Sequence, residues 1–245
     1  MTTRTNFVLH CRLPLFLAFF ALAAASAHAQ TYTKVGAGQD YLPATAQLTG
    51  TGPLTAIQGS FSTTTTASTA SNPDLFRIYI DGTSPFSATT VNFDTTVFDT
   101  QLFLFDATGA GVYSNDDATD FTKGSLLNPS VPVTPGFYFL GVSAYGAIPR
   151  SGTGAASDIF PNTFDDTTGD LGFTGLRTPF PGAGPLTNWS LSGADVETGF
   201  YSINLTGVSA AVPEASTALS FGLPMLLGLT LLACRRAKQP SAASA

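Results

Sequence analysis

Seven short runs of β-favouring residues fill the middle of this chain, with no apolar periodicity of helix length between them. Thr, Val, Phe and Tyr are common in the runs, and Gly, Pro, Asn or Asp bounds them, as in strands joined by turns. Strands at this spacing predict an all-β fold, an antiparallel β-sandwich. The runs are LTAIQGSFS (54–62), DLFRIYI (74–80), VFDTQLFLFD (97–106), GVYS (111–114), GFYFLGVSAYG (136–146), NWSLSG (188–193) and GFYSINLTGV (199–208).

Two of these runs indicate how the strands should face the core. In the last run, Tyr201, Ile203 and Leu205 alternate with polar residues, so one face should meet the core and the other water. In the third run, apolar side chains at 102–105 fall on both faces, which predicts a central strand. The Gly-containing segment 107–111 should then form a hairpin turn.

Two stretches lack a strand pattern. The segment STTTTASTA (62–70) has the low-complexity composition of a loop or hairpin tip. A longer stretch, 146–186, has 13 Gly or Pro among its 41 residues, and so long a loop inside a compact domain needs a packing role. We expect this irregular insert to cover the sandwich as a flap, held by Ile159, Phe160, Phe164, Phe173 and Phe180.

The middle of the chain is strongly acidic, which the net charge of −6 for the whole chain understates. Residues 30–210 carry 15 acidic and five basic side chains, a balance of −10. An acidic surface repels phosphate backbones, so we expect no nucleic-acid partner. The same charge favours an extracellular role or the binding of cations.

Cysteine and histidine occur only near the ends of the chain, at Cys11, Cys234, His10 and His28. The middle of the chain therefore has no disulfides, no Ser-His-Asp or Cys-His machinery and none of the usual zinc ligands His and Cys. Its length of about 180 residues is enough to bury a core without them. We predict that the protein is not an enzyme, although paired carboxylates or a lyase site of Tyr, Lys or Arg fit this composition.

Residues 1–29 have the layout of a secretory signal peptide. Two arginines precede an apolar block at 13–25, and Ala27 and Ala29 stand at the −3 and −1 positions of an Ala-x-Ala site. The block falls short of the ~20 apolar residues of a membrane span, which disfavours the alternative of an uncleaved anchor. We expect export by the Sec machinery and cleavage by signal peptidase, leaving Gln30 as the N-terminus.

The chain ends in an apolar run followed by basic residues. Residues 218–234 number 17 and as a helix would span about 26 Å, against a hydrocarbon core of about 30 Å. Arg235 and Arg236 in the end segment 235–245 should stay in the cytoplasm. The run predicts a transmembrane helix that tethers an exported domain, 30–211, to the inner membrane. A buried core helix and a plain membrane anchor are the alternatives.

A short motif, Val212-Pro213-Glu214 in the segment 212–217, precedes this helix. The motif, the helix and the Arg pair in this order resemble the PEP-CTERM sorting signal of Gram-negative bacteria, so residues 212–245 resemble a sorting tail. The resemblance implies that an exosortase, a membrane protease-transpeptidase, processes the protein near the motif on its way to the cell surface or extracellular matrix. The alanine after Glu214 departs from the family, which usually has a second proline there.

The stretch FDTQLFLFDATGAGVYSNDDATD (98–120) carries the densest chemical signal. It resembles the bacterial pre-peptidase C-terminal domain, a jelly-roll-like sandwich marked by an Asp, an alternating apolar strand, a Gly turn and an Asn-Asp-Asp run. The resemblance covers about residues 54–208 without the insert and implies an accessory or binding module with no catalytic residue. Some relatives bind calcium through such carboxylates, so the candidate Ca²⁺ ligands are Asp99, Asp116 and Asp117.

Other interpretations of these acidic residues stay open. The segment 115–117 could instead cap a turn through hydrogen bonds from side chain to backbone. An EF-hand that starts at Asp106 is excluded, because Thr108 and Ala110 replace ligand side chains and the flanks are strands. A second acidic patch, FDDTTGD (164–170), has the same ambiguity between a cation site and a turn.

These patterns together predict a non-enzymatic exported protein of the cell surface or extracellular matrix that supports exopolysaccharide or biofilm structure. The alternative is a carbohydrate-binding module or polysaccharide-active enzyme of the envelope. In that alternative the insert 146–186 and Trp189 would form a platform on which sugars stack, although a lone Trp in a sandwich is more often a core residue.

Overall fold

The computed structural model describes residues 29–36, 40–50, 52–61, 72–90, 99–119, 123–154, 157–161, 175–191 and 199–210. These residues form thirteen β-strands and no α-helix. The strands are β1 (Gln30–Thr33), β2 (Gln47–Leu48), β3 (Gly52–Phe61), β4 (Asp74–Ile80), β5 (Ser87–Thr89), β6 (Thr100–Asp106), β7 (Gly111–Asn115), β8 (Leu126–Leu127), β9 (Gly136–Ala144), β10 (Ile148–Arg150), β11 (Asn188–Ser190), β12 (Gly199–Thr206) and β13 (Val208–Ala210).

Eleven of these strands share one sheet, whose hydrogen-bonded path runs β7-β6-β9-β4-β13-β3-β12-β5-β8. Neighbours along the path are antiparallel, while β1 joins β3 and β2 joins β4 in parallel. At the end of the path, β8 contacts β6 and β7 at its beginning, so the sheet is nearly closed and barrel-like. β10 and β11 form a separate antiparallel pair. The predicted all-β class is confirmed, and the sheet is mostly antiparallel, as predicted; the jelly-roll-like sandwich stays a prediction.

The main core lies inside this nearly closed sheet. Buried residues from eight of its strands fill it, and the fully buried ones include Ile57, Phe76, Leu104, Leu140 and Tyr201. Burying each large apolar side chain contributes about 1.5–3 kcal/mol relative to leaving it exposed. The core is therefore the main source of stability for a segment of the chain that has no cysteine.

Strand β12 follows the predicted alternation with one exception. Tyr201, Ile203 and Leu205 are buried, and Asn204 and Thr206 are exposed, but Ser202 is also buried. Gly207 then divides the predicted run into β12 and β13. Its φ is +65°, and a Cβ there would lie 2.5 Å from the carbonyl oxygen of Ser84. Only glycine fits this turn, because other residues would be strained and would clash.

Strand β6 is buried on both faces, as predicted for a central strand. Leu102 and Leu104 belong to the main core, whereas Phe103 and Phe105 belong to a second apolar cluster on the other face of the sheet. This outer cluster exists because another part of the chain covers that face.

The described part of the insert 146–186 supplies much of this cover, as expected of a flap. Ile159 and Phe160 are buried, and the ring of Phe160 packs 6.0 Å, centroid to centroid, from that of Phe103. Phe180 does not pack as expected, because it is 45% exposed. The other two residues expected to hold the flap lie outside the described residues: Phe164 and Phe173.

Trp189 also belongs to the outer cluster. It is 7% exposed, its ring makes an edge contact with Phe103 at 5.2 Å, and its Nε1 donates a hydrogen bond to the carbonyl of Tyr41 at 2.7 Å. A buried indole cannot offer a face on which a sugar stacks. The expectation that Trp189 serves as an exposed sugar platform is therefore wrong.

Several predictions fall outside the described residues. They are the signal peptide apart from Ala29, the loop 62–70, the acidic patch 164–170 and the tail 212–245. Within the ranges given above, no helix is long and apolar enough to cross a membrane.

Candidate functional site

The hairpin of β6 and β7 brings the three candidate ligands to one end of the sheet. Leu102 in β6 pairs with Asn115 in β7, so the residue before β6 and the residues after β7 are neighbours. These residues are Asp99, Asp116 and Asp117, and one carboxylate oxygen of each lies within 4.8 Å of the others. We call this group the carboxylate cluster.

Hydrogen bonds from neighbouring polar side chains hold the backbone around the cluster. Asn115 Nδ2 donates to the carbonyl of Asp117 at 2.9 Å, and Asn115 Oδ1 accepts from the backbone N–H of Leu126 at 2.6 Å. Ser125 Oγ donates to the carbonyl of Asp116 at 2.6 Å. The turn-capping interpretation therefore holds for Asn115, whereas the two Asp side chains join the cluster.

Asp116 is the most unusual member of the cluster. It is 6% exposed, and its Oδ1 has no hydrogen-bond partner among the described residues. Burial, and then the negative charges of Asp99 and Asp117, raise its pKa to about 8, although the charge of Arg177 and a hydrogen bond from Gln101 oppose the rise. A buried carboxylate oxygen without a donor is energetically unfavourable, and a bound cation would relieve it.

Asp106 lies at the other end of the same hairpin and has a different role. Its Oδ1 accepts hydrogen bonds from the backbone N–H groups of Thr108 and Ala110, at 2.8 and 3.0 Å. Gly109, with a φ of +86°, donates its N–H to the carbonyl of Asp106 at 2.9 Å. Asp106 therefore caps the predicted hairpin turn and is not a ligand in a calcium loop.

A half-open pocket lies beside the carboxylate cluster and has Asp116 in its wall. Its cavity volume is about 30 Å³, room for about two water molecules. Besides Asp116, the wall combines aromatic rings with hydrogen-bonding side chains, among them Phe103, Tyr145, Phe160, Gln101 and Arg177.

Arg177 is the residue of this site that sequence reasoning missed. The insert carries it to the edge of β7, where its Nη1 donates to the carbonyl of Pro161 at 2.8 Å. Burial lowers the pKa of Arg177, and the nearby charge of Asp116 opposes this. The only signal in the sequence was that basic residues are rare in this part of the chain, where Arg177 is one of five between 30 and 210.

The cluster offers oxygen ligands alone, which suits a hard cation. Ca²⁺ takes about six to eight oxygen ligands in flexible geometry, whereas Mg²⁺ demands a near-ideal octahedron and keeps several waters. Three carboxylates, each able to bind through one or two oxygens, supply about half of a calcium shell or more. Backbone carbonyls and water would complete it. The donor set therefore fits calcium.

No protein-family model matches this sequence, and a search of curated proteins finds no significant match. The resemblances of the tail to a PEP-CTERM signal and of the hairpin to a pre-peptidase C-terminal domain accordingly stay predictions. The chemistry of the site rests on the geometry of these side chains.

Proposed function

We propose that the protein is a non-enzymatic exported protein of the cell envelope whose carboxylate cluster binds calcium. In this proposal, residues 30–211 form a jelly-roll-like domain, and a PEP-CTERM tail and an exosortase direct it to the surface or matrix of a Gram-negative cell. There the domain supports exopolysaccharide or biofilm structure. The observation that carries the calcium proposal is the convergence of three carboxylates within 4.8 Å around the buried Asp116.

Charge supports the same proposal. Residues 30–210 have a balance of −10, so the folded chain is destabilised by repulsion that is strongest where carboxylates cluster. An ion that binds only the folded state raises stability by mass action. A bound Ca²⁺ would also keep Asp116 ionised, because a divalent cation outweighs the effect of burial.

Thermal unfolding of the full chain in mild detergent tests the calcium site. Millimolar Ca²⁺ should raise the melting temperature more than NaCl of equal ionic strength, because general screening treats the two salts alike. At a concentration about 100 times its Kd, Ca²⁺ adds about 2.7 kcal/mol, or about 5–10 °C for a domain of this size. The protein is first treated with a chelator to remove bound metal, and circular dichroism then follows unfolding in each salt.

Two variants decide what a shift means. Asp116→Asn combined with Asp117→Asn should abolish the difference between the salts, since it removes two of three charged ligands. Asp106→Asn is the matched control, because it removes a carboxylate of the same hairpin but keeps the Oδ1 that caps the turn. Equal responses to Ca²⁺ and NaCl in the parent chain, or an unchanged response in the double variant, would contradict the proposal.

The sorting part of the proposal depends on the tail and is tested separately. Pro213→Ala with Glu214→Ala should prevent processing, so that the protein keeps its full mass and stays in the membrane fraction. Arg4→Lys in the leader is a control that keeps the charge. If the double variant has the same mass and location as the parent, the motif does not direct processing, and the tail is merely an anchor.

The pocket beside the cluster supports a second candidate function, binding of an acidic glycan. Arg177 could pair with a sugar carboxylate, and the half-buried ring of Tyr145 lies in the same wall. The full chain should then be retained on acidic but not neutral polysaccharides, and Arg177→Gln should weaken retention. Turnover of a glycan would contradict the non-enzymatic proposal and favour an envelope enzyme. Equal behaviour on both classes would remove this candidate.

A further inference from the structure

A second group of buried charges shares no residue with the carboxylate cluster. Lys34 lies just after β1, and Asp74 is the first residue of β4. The Nζ of Lys34 donates a hydrogen bond to Oδ1 of Asp74. A second carboxylate, Asp40, has its Oδ1 3.6 Å from the same Nζ. The hydroxyl group of Tyr201 in β12 donates a hydrogen bond to Oδ2 of Asp74.

These groups are shielded from water. The side chains of Lys34, Asp40 and Asp74 are 9%, 6% and 2% exposed, and Tyr201 is 1% exposed. Asp40 Oδ1 has no hydrogen-bond partner among the described residues. A buried ion pair gains little net stability from its charges, because desolvation offsets their attraction. The charges of this pair therefore contribute little to the stability of the fold.

The backbone fixes the reacting groups in place. The N–H of Lys34 donates to the carbonyl of Gln58 at 2.7 Å, which continues the pairing of β1 with β3. The N–H of Leu75 donates to the carbonyl of Asp40 at 3.0 Å, which ties Asp40 to β4 beside Asp74. Such pre-organisation turns the encounter of an amine with a carboxyl group into an event within one rigid site.

We propose that Lys34 and Asp74 condense into an intramolecular amide cross-link, with Asp40 as the proton carrier and Tyr201 as the hydrogen-bond donor to the reacting carboxyl group. The Nζ–Cγ bond forms and the Cγ–Oδ1 bond breaks. Two of the three protons of the Lys34 ammonium pass through the Asp40 carboxylate to the departing oxygen and leave with it as water. The third stays on the amide nitrogen, so the reaction needs no oxidant and no co-reactant.

The surroundings favour each part of this reaction. Burial raises the pKa of Asp74 to about 6 against the opposing effect of Lys34, so Asp74 can hold the first of the two protons that Asp40 delivers and become an electrophilic, neutral carboxyl group. The Tyr201 hydroxyl donates a hydrogen bond to the negative charge that develops on Oδ2. Burial and the charge of Asp74 raise the pKa of this hydroxyl well above its usual value, so it keeps its proton. Exclusion of water also protects the product from hydrolysis.

The cross-link would join two segments that are 40 residues apart. It would fasten β1, which the predicted cleavage by signal peptidase places at the N-terminus, to the centre of the sheet. A covalent link restricts the unfolded chain in the same way as a disulfide. It would serve a domain that has no cysteine between 30 and 210.

Peptide mapping of the full chain, purified folded and then digested, tests the proposal. Trypsin should fail to cleave after Lys34, and the peptide that runs through to Arg77 should be lighter by one water, about 18 Da. Further digestion with chymotrypsin, which can cut after Phe61, should release a branched peptide that contains both Lys34 and Asp74. Fragmentation by mass spectrometry then locates the link.

Other losses of small molecules are distinguishable. A succinimide at Asp81-Gly82 also loses one water, but it lies in a different tryptic peptide and hydrolyses in mild alkali. Conversion of an N-terminal Gln30 to pyroglutamate loses ammonia, about 17 Da. Neither reaction blocks trypsin at Lys34.

Variants separate the cross-link from an ordinary ion pair. Lys34→Arg keeps the charge but should restore the full mass, and Lys123→Arg, at an exposed lysine, should leave the link intact. Asp40→Asn should slow the loss of water at least tenfold in a refolding time course. A folded parent chain that trypsin cleaves at Lys34, with peptides of full mass, would overturn the proposal. A link that forms equally fast in Asp40→Asn would show that Asp40 does not carry the protons.

Discussion

The backbones of Ser114 and Arg177 exchange two hydrogen bonds, from Ser114 N to Arg177 O at 3.0 Å and from Arg177 N to Ser114 O at 2.8 Å. This pairing adds a short piece of the insert to the edge of β7 and brings a guanidinium into the pocket that Asp116 lines. The site is therefore built from two parts of the chain, an acidic hairpin and a basic residue delivered from elsewhere. Its charge balance determines several measurable properties.

The stability of the metal-free chain should fall as the pH rises from about 4 to about 8. The folded state holds a proton on Asp116 up to about pH 8, whereas the unfolded chain releases it near the ordinary pKa of 3.8. The folded state therefore binds more protons in this window, and the free energy of unfolding decreases by up to about 1.4 kcal/mol per pH unit. Urea unfolding at a series of pH values, in the presence of a chelator, measures this free energy.

The window from pH 6.5 to 8 isolates this effect, because a free Asp74 carboxyl group, with a pKa of about 6, contributes mainly below it, and a cross-linked Asp74 does not titrate. Asp116→Asn should flatten the slope there, and Asp158→Asn, which removes a half-buried carboxylate paired with Arg150, should not. A slope that survives in Asp116→Asn would assign the proton to another group.

Gly59→Ala should destabilise the chain by about 1–3 kcal/mol, the usual range for overpacking. Gly59 in β3 pairs with Tyr201 in β12, and a Cβ there would lie 2.2 Å from the Tyr201 hydroxyl oxygen. The ring would have to move away from Asp74. Gly136→Ala is the control, since its Cβ would meet nothing closer than 3.7 Å. Equal melting temperatures of the two variants would show that Tyr201 has room to shift.

Trp189→Phe should cost about 2–4 kcal/mol in the free energy of unfolding. It removes part of a ring that packs against Phe103 and Phe105, and it leaves the carbonyl of Tyr41 without the indole donor. Because Trp189 is the single tryptophan of the chain, circular dichroism and not fluorescence must follow unfolding. A stability within about 0.5 kcal/mol of the parent would mean that the indole is not the core residue described above.

Local patterns explain which strands could be predicted. Each of the seven predicted runs overlaps a strand, and the run 74–80 coincides with β4, because alternation and turn residues are properties of neighbouring positions. The strands β1, β2, β5, β8 and β10 were not predicted, and only the first residue of β13 lay in a predicted run. They have two to four residues each, and their pairing depends on distant parts of the chain. The near closure of the sheet is likewise a property of the whole path.

The same distinction explains the two groups of charges. The carboxylate cluster was predictable because a hairpin places the residues that flank its open end side by side, so Asp99 and Asp116 meet once the turn is known. Lys34 and Asp74 were not, since nothing near either residue in sequence indicates the other. Asp74 was only the first residue of a predicted strand, and the pairing of β1 with β3, which places Lys34, is parallel and non-local.

Asp116→Asn should have effects of opposite sign in the absence and presence of calcium. Without metal at pH 9, the parent bears three clustered charges, one of them on a buried oxygen that has no hydrogen-bond partner among the described residues, so the neutral amide should stabilise the chain by about 2 kcal/mol or more. With saturating Ca²⁺ the order should reverse, because the parent gains the energy of binding and the variant loses a ligand. Melting curves of both proteins, with chelator and with Ca²⁺, give the four values required. If the variant is less stable than the parent in both conditions, Asp116 is a structural residue and its charge is not held for a cation.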